Sequence, residues 1–160
     1  MFSPLKKLFS KKAPNNIQSR ELDTYFRVEL NKFDCISEGR YELVLCHLRH
    51  QSKLDHAMIG SEFNVDERGS REIFAAIRHI YYKATCDKAW DDNYIKMYTS
   101  GVVKKATLKK AGSNEHCDYC LASFDKKIPI TVETFNEFYK NCSCKPYKSS
   151  FFEPVVSFDK

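Results

Sequence analysis

No window of this sequence approaches twenty consecutive apolar residues, so no bilayer-spanning helix is expected. The N-terminus lacks the apolar core and small-residue cleavage site of a secretory signal, and a soluble protein made and kept in cytoplasm is the expectation. Internal repeats are absent, as is any low-complexity tract beyond a lysine-rich head. There is no P-loop, no dinucleotide-type glycine turn and no nucleophile elbow. A zinc deaminase needs H-x-E well upstream of P-C-x-x-C, and "NEHCDYC" has neither the H-x-E nor the proline.

What is present is a chain of 160 residues, long enough for one ordinary domain with a small appendage. Apolar residues make up 42% and charged residues 29%, close to globular averages, and 12 Phe with 9 Tyr imply an aromatic-rich core. The net charge of +5 is uneven. Lys6, Lys7, Lys11 and Lys12 lie in an acid-free head, while Lys104, Lys105, Lys109 and Lys110 bracket a short apolar segment. Lys126, Lys127, Lys145 and Lys148 surround a cysteine-rich stretch. The C-terminal half is therefore expected to offer a basic surface to phosphate or to an acidic protein, against the plainer reading that such lysines serve solubility.

Residues 1–18 interleave Phe2, Leu5, Leu8 and Phe9 with lysines before a Pro-Asn-Asn breaker, a pattern for a basic amphipathic helix or a flexible head. From Ser19, a plausible N-cap, Leu22, Tyr25, Phe26, Leu30 and Phe33 recur at helical spacing. "YELVLCHLRHQSKLDHAMIG" carries a dense apolar block from Leu43 to Leu48 and reads as a buried helix closed by Gly60, with a strand through Leu43, Leu45 and His47 as the alternative. Ser70 is expected to cap a helix with Ile73, Phe74, Ile77, Ile80 and Tyr81 inward, and another is expected after Asp87, ended by Gly101. The texture then changes. "VVKKATLKK" and "KKIPI" read as strands, with a turn at Asp125-Lys126, and Thr131 caps one or two helical turns.

Four of the seven cysteines fall into two tight pairs, Cys117/Cys120 as C-x-x-C and Cys142/Cys144 as C-x-C. Zinc takes four thiolate or imidazole ligands in a tetrahedron, and two turns that each present two sulfurs form a closed structural site. A redox dithiol is the alternative for C-x-x-C, but that motif normally follows a strand in a parallel α/β unit, which is not visible here. Two disulfides in an oxidising setting, inert thiols, or a site using His116 in place of one cysteine also remain open. The odd cysteine count, the scattered Cys35, Cys46 and Cys86, and the lack of an export signal favour reduced thiols with a metal. Cys46 with His50 is a further candidate pair for metal or nucleophilic chemistry, against the commoner reading of a buried cysteine beside an exposed histidine. Asp55 with His56 and Asp91 with Asp92 are candidate acid-base pairs, more commonly solvated helix faces or caps. His79 reads as an interface histidine.

The stretch "YIKMYTSGVVKKATLKKAGSNEHCDYCLASFDKKIPI" together with "NCSCKP" resembles the C-terminal module of the phage head morphogenesis (Mu-type minor head protein) family. In that family a helix ends in a Gly-Val step and a strand leads to an acidic residue before C-x-x-C. An Asp-Gly turn and a short strand follow, and His-Pro-x-Cys-x-Cys closes the segment. Here Gly101-Val102, Glu115, Cys117, Cys120, Asp125, Cys142 and Cys144 match, whereas Lys126 replaces the glycine and Tyr139-Lys140-Asn141 stands at the His-Pro position. The resemblance covers about the last third of the chain. It implies a low-copy structural protein of a phage or phage-derived particle, acting near the portal in head assembly, DNA packaging or ejection, with portal or capsid proteins and DNA as partners, in the virion or the host cytoplasm.

The sequence thus leads to an α+β fold, with a helical N-terminal body (19–100) behind a basic head (1–18) and a small β-rich, zinc-binding C-terminal module (101–160). The expected function is structural rather than enzymatic. The alternative is a small zinc-dependent nucleic-acid-binding regulator whose Lys104, Lys105, Lys109, Lys110 and Lys145 contact phosphates.

Overall fold

The computed structural model describes residues 20–50, 56–112 and 115–156, with no side-chain description for 56 and 57. The fold is α+β: a helical N-terminal body, then a small three-stranded antiparallel sheet with a cysteine cluster beside it. The head at 1–18, the Ser19 cap and the Asp55/His56 pair lie outside what is described.

Helix α1 (Leu22–Leu30) follows Glu21 and buries Tyr25, Phe26, Glu29 and Leu30. A 3-10 turn at Glu38–Arg40 leads into α2 (Tyr41–His50). The expected helix is described on either side of residues 51–55, and α3 (His56–Phe63) carries Gly60 in its interior rather than at the end where it was expected to close the helix. The glycine's weak helix propensity yields to the complete burial of Ile59 and Phe63 on either side of it.

The two expected helices after residue 66 are one, α4 (Glu67–Ser100), whose 34 residues span about 51 Å at 1.5 Å each. Its cap is Asp66, whose carboxylate accepts from the Gly69 N–H at 2.8 Å, and Ser70 lies buried inside the helix. No Gly or Pro interrupts the stretch between Tyr82 and Asp87, so nothing stops the helix there. It ends at Gly101 as expected, with φ +67 in the left-handed region.

Strand β1 (Lys105–Lys110) is central, flanked by β2 (Lys127–Pro129) and β3 (Ser150–Val155). Ala106 pairs with Ile128 and Pro154, and Leu108 with Phe152, so these residues share the inward face of the pleat. Helices α5 (Asp118–Ser123) and α6 (Val132–Asn141) fill the connections, and Thr131 caps α6 through the Thr134 N–H. Strand β3 and helix α5 were not foreseen, and α6 is longer than the one or two turns expected.

Two cores result. Tyr25, Phe26, Leu45, Ile59, Phe63, Ile73 and Ile80 belong to the first, gathered from α1 to α3 and the first part of α4. The second joins Trp90, Tyr94 and Met97 of α4 to the sheet and α6. Its centre is aromatic, with Phe152 at 5.0 Å from both Trp90 and Tyr94 and at 5.3 Å from Phe138. The Tyr94 hydroxyl donates to the Thr131 carbonyl at 2.9 Å and accepts from its N–H at 3.0 Å, which registers α6 on α4.

Candidate metal centre

Each cysteine pair is set by the end of a short helix. Cys117 is the N-cap of α5 and Cys120 lies in its first turn, so the C-x-x-C turns both sulfurs to one side. Cys142 is the C-cap of α6, and extended backbone there carries the chain on to Cys144. The single-residue spacer of C-x-C is accommodated because Cys142 is not helical.

The four sulfurs lie within 4.8 Å of one another. Cys120 and Cys142 are 3.6 Å apart, and Cys117 and Cys144 are 3.7 Å apart. A tetrahedron of sulfurs about 2.3 Å from a central ion has edges of about 3.8 Å, so the spacing fits a four-thiolate metal site. All seven cysteines are free thiols. Two backbone amides point at sulfur, Cys117 N–H at Cys144 Sγ (3.4 Å) and Ser143 N–H at Cys117 Sγ (3.3 Å). Such N–H donors favour the thiolate form that a metal requires.

The thiols are unequal. The hydrogen bond from Cys120 pulls Cys142 well below the usual thiol range against the effect of burial, with the Lys148 ammonium assisting. The same bond, with burial, pushes Cys120 up. Burial also raises Cys144. At Cys117 burial is the largest single effect and acts upward, but the hydrogen bonds from Ser143, Cys120 and Cys144 outweigh it and the thiol is lowered. Of the four sulfurs, Cys142 and Cys117 are thus shifted toward the charged form and Cys120 and Cys144 away from it.

His116 sits beside the cluster, not in it. Its Nδ1 is 4.0 Å from Cys144 Sγ, and its ring packs edge-on against Phe124 at 4.9 Å. Burial, then the charge of Lys110, lowers its pKa, so the neutral imidazole is favoured.

The candidate lysines do not share one face. Lys104, Lys105, Lys110 and Lys145 are exposed. Lys105 and Lys109 lie on the outward face of β1, and Lys109 is engaged by Asp125 at 2.7 Å and Glu153 at 3.9 Å. The remaining pairs separate as well. Cys46 and His50 are both exposed on α2, and among the described residues the four-cysteine group is the one assembled for a metal. Asp92, half-buried, accepts from Lys88 at 2.5 Å, whereas Asp91 is only 2% exposed and turned inward. His79 packs edge-on against Phe33 at 5.6 Å, as an interface residue does.

The inward turn of Asp91 was not visible in the sequence. Its carboxylate accepts from the Tyr25 hydroxyl of α1 at 2.5 Å and meets Lys148 Nζ at 3.6 Å. Lys148 lies 4.0 Å over the Trp90 ring, a cation–π contact. Burial raises the Asp91 pKa, with Lys148, Tyr25 and Arg20 opposing. This cluster borders a cavity of about 190 Å³ between α1, α4 and α6, which Asp87 and Cys142 also line.

Compared with family models, curated proteins and solved structures, the chain matches none of them. Among the described residues no helix is long and apolar enough to cross a membrane.

Proposed function

We propose that this chain is a structural, assembly-type protein of a phage or phage-derived particle, whose C-terminal module is fastened by a structural zinc ion on Cys117, Cys120, Cys142 and Cys144. The observation that carries the metal reading is the convergence of four sulfurs with near-tetrahedral spacing at the edge of an aromatic core. Four thiolates complete the coordination shell of zinc and leave no position for a reacting water, which supports a fastening role over a catalytic one. The head-morphogenesis reading rests on the resemblance. The order of elements is compatible with it: a helix ending at Gly101, β1, the C-x-x-C, β2, and the final C-x-C.

Metal analysis of the reduced, folded protein is expected to give about one zinc per chain; a folded chain without metal sinks the zinc assignment. Co-purification with a portal or capsid protein, insensitive to nuclease, tests the assembly role. So do the neighbouring genes, which are expected to include terminase and portal genes. The alternative, a zinc-dependent nucleic-acid binder, draws on the exposed Lys104, Lys105, Lys110 and Lys145. Each phosphate contact would add about 0.9 to the slope of log affinity against log salt, so a slope of several units on random DNA would favour it. The engagement of Lys109 by two carboxylates weighs against a continuous phosphate-binding stripe.

A further inference from the structure

The two cores share no residue, yet α1, which belongs to the first, makes polar contacts to the second at two points. Arg20, just before α1, donates to the Tyr139 hydroxyl at 3.4 Å and lies 5.6 Å over that ring. Tyr25 donates to Asp91, which faces Lys148. Tyr139, which Arg20 meets directly, is three residues before Cys142, and Lys148, which meets Tyr25 only through Asp91 of α4, is four residues after Cys144.

Residues 145–149 connect the last cysteine to β3 and are tied at each end. The Lys145 N–H donates to the Glu115 carbonyl at 3.3 Å, next to the first cysteine pair, and the Ser149 carbonyl accepts from the Ala111 N–H at 2.7 Å. Cys144 therefore fixes where this loop begins. The Lys148 side chain, 11% exposed, is carried from there over Trp90 and onto Asp91. A buried carboxylate that loses one of its partners is costly, so the Tyr25–Asp91–Lys148 group stands or loosens as a unit.

We propose that metal loading of the cysteine cluster tightens the docking of α1: the loaded cluster places Lys148 on Asp91, and Asp91 in turn holds Tyr25, which adds to the apolar packing of Phe26 and Leu30 in the first core. The proposal rests on the metal reading above. Its output is the N-terminal end of the body, where α1 begins at Leu22. By reciprocity, whatever displaces α1 weakens metal binding by the same factor.

Hydrogen exchange on the full-length chain, with zinc content measured on the same samples, tests this. The peptide spanning 22–30 is expected to exchange about tenfold faster after chelation, the scale of one lost hydrogen bond to a buried charge. Lys148→Met is expected to speed the same peptide with zinc content unchanged at saturating metal, and this arm decides where chelation unfolds the whole chain. Tyr25→Phe removes only the hydroxyl, and its α1 exchange is expected to be the same with and without zinc. Zinc-loaded Lys148→Met exchanging like wild type, or Tyr25→Phe keeping the full zinc response, overturns the coupling while leaving the metal site intact. A folded wild-type chain that takes up no metal overturns both.

Discussion

Cys120, only 1% exposed, is the most buried of the four cysteines. Cys120→Ser keeps the shape but removes a soft ligand, and the expected outcome is loss of stoichiometric zinc together with a thermal midpoint that no longer responds to added zinc. Because Cys120 and Cys144 favour the protonated form, zinc uptake near neutral pH must displace their protons. Affinity is therefore expected to rise with pH, and titration calorimetry in buffers of different ionisation enthalpy measures the protons released. In the second core, Phe152 is 1% exposed and touches three other rings, so Phe152→Ala is expected to cost about 3–5 kcal/mol in denaturant unfolding. Asp23 gives a milder electrostatic test. The hydrogen bonds from Arg49 hold its pKa below the ordinary 3.8, against a small effect of burial. That stabilisation is present above 3.8 and is lost as pH falls through the lower folded value. An NMR titration is expected to show the Asp23 carboxyl moving back toward 3.8 in Arg49→Gln.

At the scale of elements, the end of α4 depends on backbone conformation rather than packing. Gly101 has φ +67 with nothing near its missing Cβ, so Gly101→Ala is expected to cost about 1 kcal/mol through conformation alone. Gly39, equally open but without a positive φ, is the control, and Gly39→Ala is expected to leave the unfolding midpoint within a few tenths of a kcal/mol or slightly raise it. Strand β3 is one of the two outer strands, yet its free edge offers little to a partner strand. The Phe152 N–H is taken by Asn93 Oδ1 at 2.8 Å, and Pro154, two residues on, has no N–H. These elements also show how far the sequence could be read. The strands β1 and β2, the Thr131 cap, the Gly101 stop and each of the two cysteine pairs were legible because each depends on residues a few positions apart. Ser70 and Asp87 misled because a cap-forming residue within a helix has the same letter as one at its start. Ser150–Val155 went unseen because adjacent phenylalanines and a proline break the alternation that marks a strand. The pairing of Asp91 with Lys148 spans 57 positions, and no local pattern encodes it.

For the whole molecule, the single tryptophan is placed to report on one core only. Trp90 lies among the rings of the second core beneath Lys148, while backbone circular dichroism reports helices from both cores. With zinc bound, the fluorescence and circular dichroism transitions in denaturant are expected to coincide; after chelation the fluorescence transition is expected to come first. Coincident transitions after chelation would show that α4 alone makes the two cores cooperative. That helix carries Ile73, Ile77, Ile80 and Ala84 to one core and Trp90, Asp91, Tyr94 and Met97 to the other. At about 100° per residue the two stripes differ in direction by about 80°. The segment between them therefore behaves as a shaft whose phase is set by residue count. Substitutions at its solvent-facing positions leave the phase alone, but inserting or deleting one residue between Ala84 and Trp90 would turn one core by about 100° against the other and carry Asp91 out of reach of Tyr25. Length, more than composition, is the quantity that this stretch has to conserve.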